Sequence, residues 1–166
     1  MPFTPFHFGA GAAAHAAAPA RVSFLAFCVA NVITDVEPLY YSLHHRWPVH
    51  RFLHTFVGAN FSAAATLLLF LVAMRATQHV RLPDPFGWQS LRAWPVAAGA
   101  WLGTYSHIVL DGLNHRDMHP FWPFTFANPM LGGMSRQAVE ALCLVLALAA
   151  MFLLEWRRRR ADAARR

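Results

Sequence analysis

Apolar residues run unbroken along this chain for lengths that match a bilayer. A hydrocarbon core about 30 Å thick takes roughly 20 helical residues. Residues 55–74, 93–110 and 137–156 approach that length with few or no charges. The first is the cleanest. The second is flanked by Trp94 and Trp101 and stays apolar or weakly polar until His107. The third carries Glu140 near its start and ends at Trp156, an interfacial type of residue, followed by arginines. Each is expected to be a membrane-spanning helix.

The first 35 residues fit that pattern less simply. Residues 8–33 would make one span, but with Pro19 and Arg21 near its middle, where a charge is costly. The pattern predicts a helical hairpin instead. One arm covers residues 6–18, the chain turns at Pro19-Ala20-Arg21, and Ser23 caps a second arm running to Thr34. Either arm is too short to cross a bilayer at 1.5 Å per residue. The expected fold class is therefore all-α: an integral membrane helical bundle with three full spans plus an N-terminal hairpin, or four spans if that segment crosses once. Residues 1–156 form a single membrane-embedded domain and 157–166 a basic cytoplasmic tail.

Composition supports the membrane as solvent, since 57% of the 166 residues are hydrophobic and only 13% charged. The net charge of +6 does not point to nucleic acid, because six of the 14 basic residues, all arginine, lie in the last ten positions. An arginine run directly after an apolar helix marks a cytoplasmic end. Walking back from it makes the 75–92 connection cytoplasmic too, with Arg75, Arg81 and Arg92. The segments 35–54 and 107–136 then share the outer face of an inner or plasma membrane. Tyr40, Tyr41, Trp47, Phe121, Trp122 and Phe124 form an aromatic layer there. Cys28 and Cys143 are solitary, and the N-terminus lacks the basic region of a cleaved signal.

Of ten histidines, His50, His54, His107, His115 and His119 fall on that same face, together with Asp35, Glu37, Asp111 and Asp117. His50 and His54 are four apart at the start of a helix, which would turn both towards one metal. His107, Asp111 and His115 repeat the spacing at a helix end. The hairpin returns His7 to the level of Asp35, with Asn31 one turn earlier on the same face; a single span would place His7 on the opposite side. His15, His44, His45 and His79 are read as structural. Arg51 and Arg116 are either oxyanion or phosphate clamps or snorkelling partners of aspartates.

Imidazole with carboxylate suits zinc, and also manganese or iron; no thiolate pair is present for a purely structural zinc site. Up to seven donors leave room for one or two ions, and two would suit hydrolysis. An aromatic-walled site at the outer interface would meet membrane lipid and a lipid-like ester or phosphoester. A different reading makes the same residues polar contacts between helices of a non-catalytic protein: a metal or proton pathway component, or a structural subunit. A continuous pathway is poorly supplied, because residues 61–73 and 141–154 offer only Ser62 and Thr66 as polar positions. A bis-histidine haem suits these carboxylate-rich helix ends less well than a hard metal.

The segments MPFTPFHFGAG, ANVITDVEP, HRFLHTFVGA and GTYSHIVLDG together resemble the YdjM-like family of inner-membrane metal-dependent hydrolases, over about the first 125 residues. The resemblance implies metal ligands at His7, Asp35, His50, His54, His107 and Asp111, with Arg51 in the third segment as a substrate clamp. The order of these residues is also distantly similar to zinc-dependent phospholipase C. After Asp35 the chain departs from the family pattern, Val-Glu-Pro standing where Asp-His is usual, and Glu37 is the expected substitute ligand or general base. Oligomeric state is not indicated.

Overall fold

A computed structural model of the chain describes residues 4–84 and 86–165. Among these residues it is all-helical, with α1 Thr4–Ala17, α2 Phe24–Leu43, α3 Phe56–Ala76, α4 Ala93–Gly112 and α5 Arg136–Ala163. A 3-10 turn, Phe52–His54, precedes α3 and another, Trp88–Ser90, precedes α4.

Local chemistry sets where three of these helices begin. Ser23 accepts the N–H of Ala26 at 3.2 Å, Thr55 that of Gly58 at 2.9 Å, and Ser135 that of Ala138 at 3.2 Å. Each hydroxyl satisfies one of the N–H groups that a helix start leaves without a partner. The N-terminal hairpin forms with its turn at residues 18–23, but its second arm is longer than predicted. Helix α2 passes through Pro38 and ends at Leu43. At 20 residues it spans about 30 Å, so shortness does not keep it from crossing a bilayer; it carries Asp35 and Glu37 instead. Helix α5 also overruns its predicted end, continuing through the arginine run to Ala163. There Arg157 donates to the carbonyls of Ala16 and Ala17, a cation at the negative end of α1.

Helix α1 packs mainly on α5, and α4 is held between α2 and α3. The α2/α4 pair runs parallel in a constant register. A Cβ on Gly99 would collide with the Ser23 carbonyl, and one on Gly103 would lie 2.7 Å from the Phe27 carbonyl. One turn on, His107 meets Asn31 at 2.8 Å. One turn further, Asp111 and Asp35 both approach His107 Nε2, each at 3.2 Å. Two glycines thus bring the helices close enough for the polar pairs beyond them to meet. Helix α3 runs antiparallel to α4, with Trp101 Nε1 donating to Asn60 Oδ1 at 3.0 Å. The five helices alternate in direction, and the start of α1, the end of α2, the start of α3 and the end of α4 converge at one end.

Small residues fill the interior. Ala30, Ala63 and Ala100 pack as one fully buried cluster, and Ala59 joins Ile108 and Met118 in a second. Large apolar side chains face outwards, with Leu68 62%, Val72 57%, Val145 61% and Phe152 76% exposed. This is the reverse of a water-soluble bundle, whose large apolar residues are mostly inside. Among the described residues two helices, α3 and α5, are long and apolar enough to cross a membrane, where three were expected. Helix α4 has the length, but Thr104, Ser106, His107 and Asp111 dilute its apolar character.

Candidate metal centre

The converging end holds a buried group of imidazoles and carboxylates. His7, His54 and His107 are sealed from solvent, Asp111 nearly so, and Asp35 is the accessible member with a quarter of its side chain exposed. One donor atom from each of Asp35, His54, His107 and Asp111 lies within 4.8 Å of every other. Five of the six separations are fixed individually. His54 Nε2 is 3.2 Å from His107 Nε2, 3.5 Å from Asp35 Oδ1 and 3.8 Å from Asp111 Oδ2. His107 Nε2 is 3.2 Å from both Asp35 Oδ1 and Asp111 Oδ2. Four ligands at 2.0–2.1 Å from a tetrahedral cation lie about 3.3 Å from one another. The spacing fits such a cation.

The His107 ring is aimed by what its other nitrogen touches. Asn31 Nδ2 donates to the Phe27 carbonyl at 2.8 Å, which turns Asn31 Oδ1 towards His107 Nδ1. That assigns the His107 proton to Nδ1 and leaves the Nε2 lone pair facing the cluster, the arrangement metal-bound histidines adopt. His7 Nδ1 lies 3.2 Å from the same His107 nitrogen, and its ring stands edge-on to His107. Burial lowers the His54 pKa to about 4, with Asp35 opposing, so His54 is a neutral donor at ordinary pH.

A second group lies beside the first. His50, Asp111 and His115 also place one donor each within 4.8 Å of one another. His50 Nδ1 is held by both oxygens of Asp117, at 3.0 and 2.9 Å, while the backbone N–H groups of Val49 and His50 donate to Asp117 Oδ2. Burial by itself would raise the Asp117 pKa; His50 and these N–H groups outweigh it and hold the carboxyl below its usual range. Burial lowers that of His115, against the pull of Asp111.

The described residues leave few buried side-chain polar atoms without a hydrogen-bond partner, and most are here: His7 Nε2, His54 Nδ1, Asp111 Oδ1 and His115 Nε2, the other being Ser62 Oγ. An unsatisfied buried polar group costs about 1–3 kcal/mol. Three of these atoms, His7 Nε2, Asp111 Oδ1 and His115 Nε2, gather at one carboxylate, where a coordinated cation would relieve the cost.

Two expected participants lie outside both donor groups. Both Glu37 oxygens accept backbone N–H groups, from Arg51 at 3.2 Å, Phe52 at 3.1 Å and Leu53 at 2.8 Å. Glu37 thus holds the turn that presents His54 and belongs to neither donor group. Arg51 donates through Nε to the Pro48 carbonyl at 2.9 Å, and its guanidinium sits 3.8 Å from the centre of the Tyr41 ring. His50 and His54 do not share a helical face: His50 precedes the 3-10 turn, and α3 begins only at Phe56. Their rings nevertheless lie 4.7 Å apart. His115 and Asp117 lie beyond the end of α4, on a segment whose path no helical periodicity predicts. The spacing of His115 four residues after Asp111 was the available signal.

The fold and site define an all-helical protein with a buried histidine and aspartate cluster able to hold a metal ion. No protein-family model, curated protein or solved structure matches the chain.

Proposed function

We propose that the protein is a multi-pass inner-membrane, metal-dependent hydrolase that acts on a lipid-like ester or phosphoester at the outer interface, with its C-terminus cytoplasmic. The observation that carries this reading is the near-tetrahedral spacing of Asp35, His54, His107 and Asp111, with five donor pairs 3.2–3.8 Å apart. Imidazole and carboxylate donors favour zinc, with manganese or iron as substitutes. A divalent cation bound there supplies an acidified water and polarises the ester or phosphoryl oxygen.

The chain's own residues do the rest. Asn31 orients His107, Glu37 holds the 51–53 turn, and the partly exposed Asp35 marks the side from which water and substrate arrive. Beside His50 a cleft of about 210 Å³ is lined by Pro48, Arg51, Phe52, His119, Trp122 and Phe126. Its aromatic walls suit an acyl or prenyl portion and Arg51 an anionic head. The outward apolar residues of α3 and α5 support those two helices as spans, exposed Leu102 and Val109 carry the apolar surface onto α4, the third span of this reading, and the arginines at 157–160 support the orientation. On the motif resemblance we assign the chain to the YdjM-like family.

A non-catalytic reading has its own observation. His107 hydrogen-bonds Asn31 and His54 and so ties α4 to α2 and to the turn that leads into α3 without any ion. Metal analysis of detergent-purified protein separates the two. Stoichiometric zinc, manganese or iron that is lost in both His54→Ala and His107→Ala is the expected result, followed by turnover of a lipid phosphoester panel. A folded, metal-free wild type would leave only the interhelical role.

A further inference from the structure

We propose that the chain holds a second divalent cation, between His50, His115 and the Oδ1 side of Asp111, so that Asp111 bridges two metal positions. This deepens the metal-dependent reading above and rests on it. The two oxygens of Asp111 face different partners. Oδ2 lies 3.2 Å from His107 Nε2 and 3.8 Å from His54 Nε2, whereas Oδ1 lies 3.3 Å from His7 Nε2 and 3.9 Å from His115 Nε2. On the Oδ2 side the donors already have one another. On the Oδ1 side all three atoms, Asp111 Oδ1, His7 Nε2 and His115 Nε2, are buried without a hydrogen bond. His7 Nε2 is within hydrogen-bonding distance of Oδ1 but is not aligned to donate to it.

The remaining donor is His50. Its Nδ1 is occupied by Asp117, which leaves Nε2 as its free ligating atom, and its ring lies 4.2 Å from that of His115 at a 41° tilt. Asp117 is itself pinned by the N–H groups of Val49 and His50, so it orients His50 and does not swing in as a ligand. Carboxylate, imidazole and free nitrogen in that order form the supporting arrangement of bound metals. A carboxylate shared through its two oxygens suits cations about 3.5–4 Å apart.

Charge gives the pair a consequence for substrate. One dication is neutralised by Asp35 and Asp111 alone. Two carry +4 against three aspartates, counting Asp117, and the surplus favours an anionic phosphoester over a neutral ester.

The test is manganese stoichiometry on the full chain in detergent, stripped with chelator and reloaded, read by elemental analysis and by electron paramagnetic resonance. Wild type is expected to bind two Mn²⁺ per chain with an exchange-coupled spectrum. His115→Ala is expected to bind one, uncoupled, and Asp117→Asn to weaken the second ion about 10–100-fold while keeping the first. Circular dichroism and monodispersity confirm folding, and Asp117→Asn carries the test if His115→Ala does not fold. One ion in wild type, unchanged by either variant, overturns the second position and leaves the first. Two ions retained at full affinity in both variants overturn it as well, and no ion in wild type overturns both readings.

Discussion

Asn31 Oδ1 accepts a hydrogen bond from His107 Nδ1 at 2.8 Å, across the parallel α2/α4 contact that Gly99 and Gly103 allow. The pair links fold to chemistry. The amide is fixed by its own donation to the Phe27 carbonyl, and the imidazole is thereby fixed in the tautomer whose Nε2 faces Asp35, His54 and Asp111.

Replacing Asn31 therefore acts on the metal before it acts on the fold. Asn31→Ala should weaken metal binding about 10–100-fold, the usual effect of losing such a supporting group. Asn31→Asp keeps an acceptor for His107 and should retain most of the affinity. Competition titration with a chromophoric chelator measures both. Equal affinity in wild type and Asn31→Ala would remove Asn31 from the site.

Glu37 poses the opposite case, a carboxylate near the cluster whose role is to hold backbone. Three N–H groups of the 51–53 turn converge on it, and hydrogen bonds to a charged group contribute about 1.5–3 kcal/mol each in favourable settings. Glu37→Ala should lower thermal stability and loosen the turn that carries His54. Glu37→Gln retains an acceptor and should keep metal stoichiometry and any turnover within a few-fold of wild type. A general base would behave differently, because Gln would abolish turnover with no loss of metal.

The part of this arrangement legible in the sequence was the part that helical spacing carries. His107 and Asp111 sit one turn apart on α4, Asn31 and Asp35 one turn apart on α2, and the Ser23 cap with the Pro19 turn implied that His7 would return to them. What was not legible depended on contacts between elements. The end expected at Thr34 falls inside α2, which continues through Pro38 to Leu43. Glu37 resembled a ligand because the path of the 51–53 backbone around it is set by tertiary structure. Asp117 and His115 come from irregular chain, where no period predicts direction. Gly99 and Gly103, four apart, were the available sign of a close helix contact.

Acid should act on the metal-free protein through His54. Its folded pKa of about 4 lies below the value of 6.5 for a free imidazole, because burial disfavours the charge. Between those values the unfolded chain takes up the proton more readily than the folded one. The stability His54 contributes is therefore fully present above about pH 6.5 and lost as pH falls towards 4. Melting in detergent with chelator present should show this rise with pH, and His54→Gln should flatten that portion of the profile. An identical slope in the variant would assign the titration to other groups.

The outward face of α3 tests what surrounds it. Leu68 is 62% exposed and Val72 57%, on a helix with no charge between Phe56 and Met74. In water, Leu68→Arg would replace one exposed side chain by a better-solvated one and change stability by no more than about 0.5 kcal/mol. In lipid the same arginine near the middle of a span opposes insertion by about 2.5–3.5 kcal/mol. Expression with separation of membrane and soluble fractions distinguishes the two. Strong loss of membrane-inserted Leu68→Arg, beside normal insertion of Leu68→Phe, is the expected outcome. Full recovery of folded Leu68→Arg in the soluble fraction would show that water bathes this face and would remove the membrane from the functional reading.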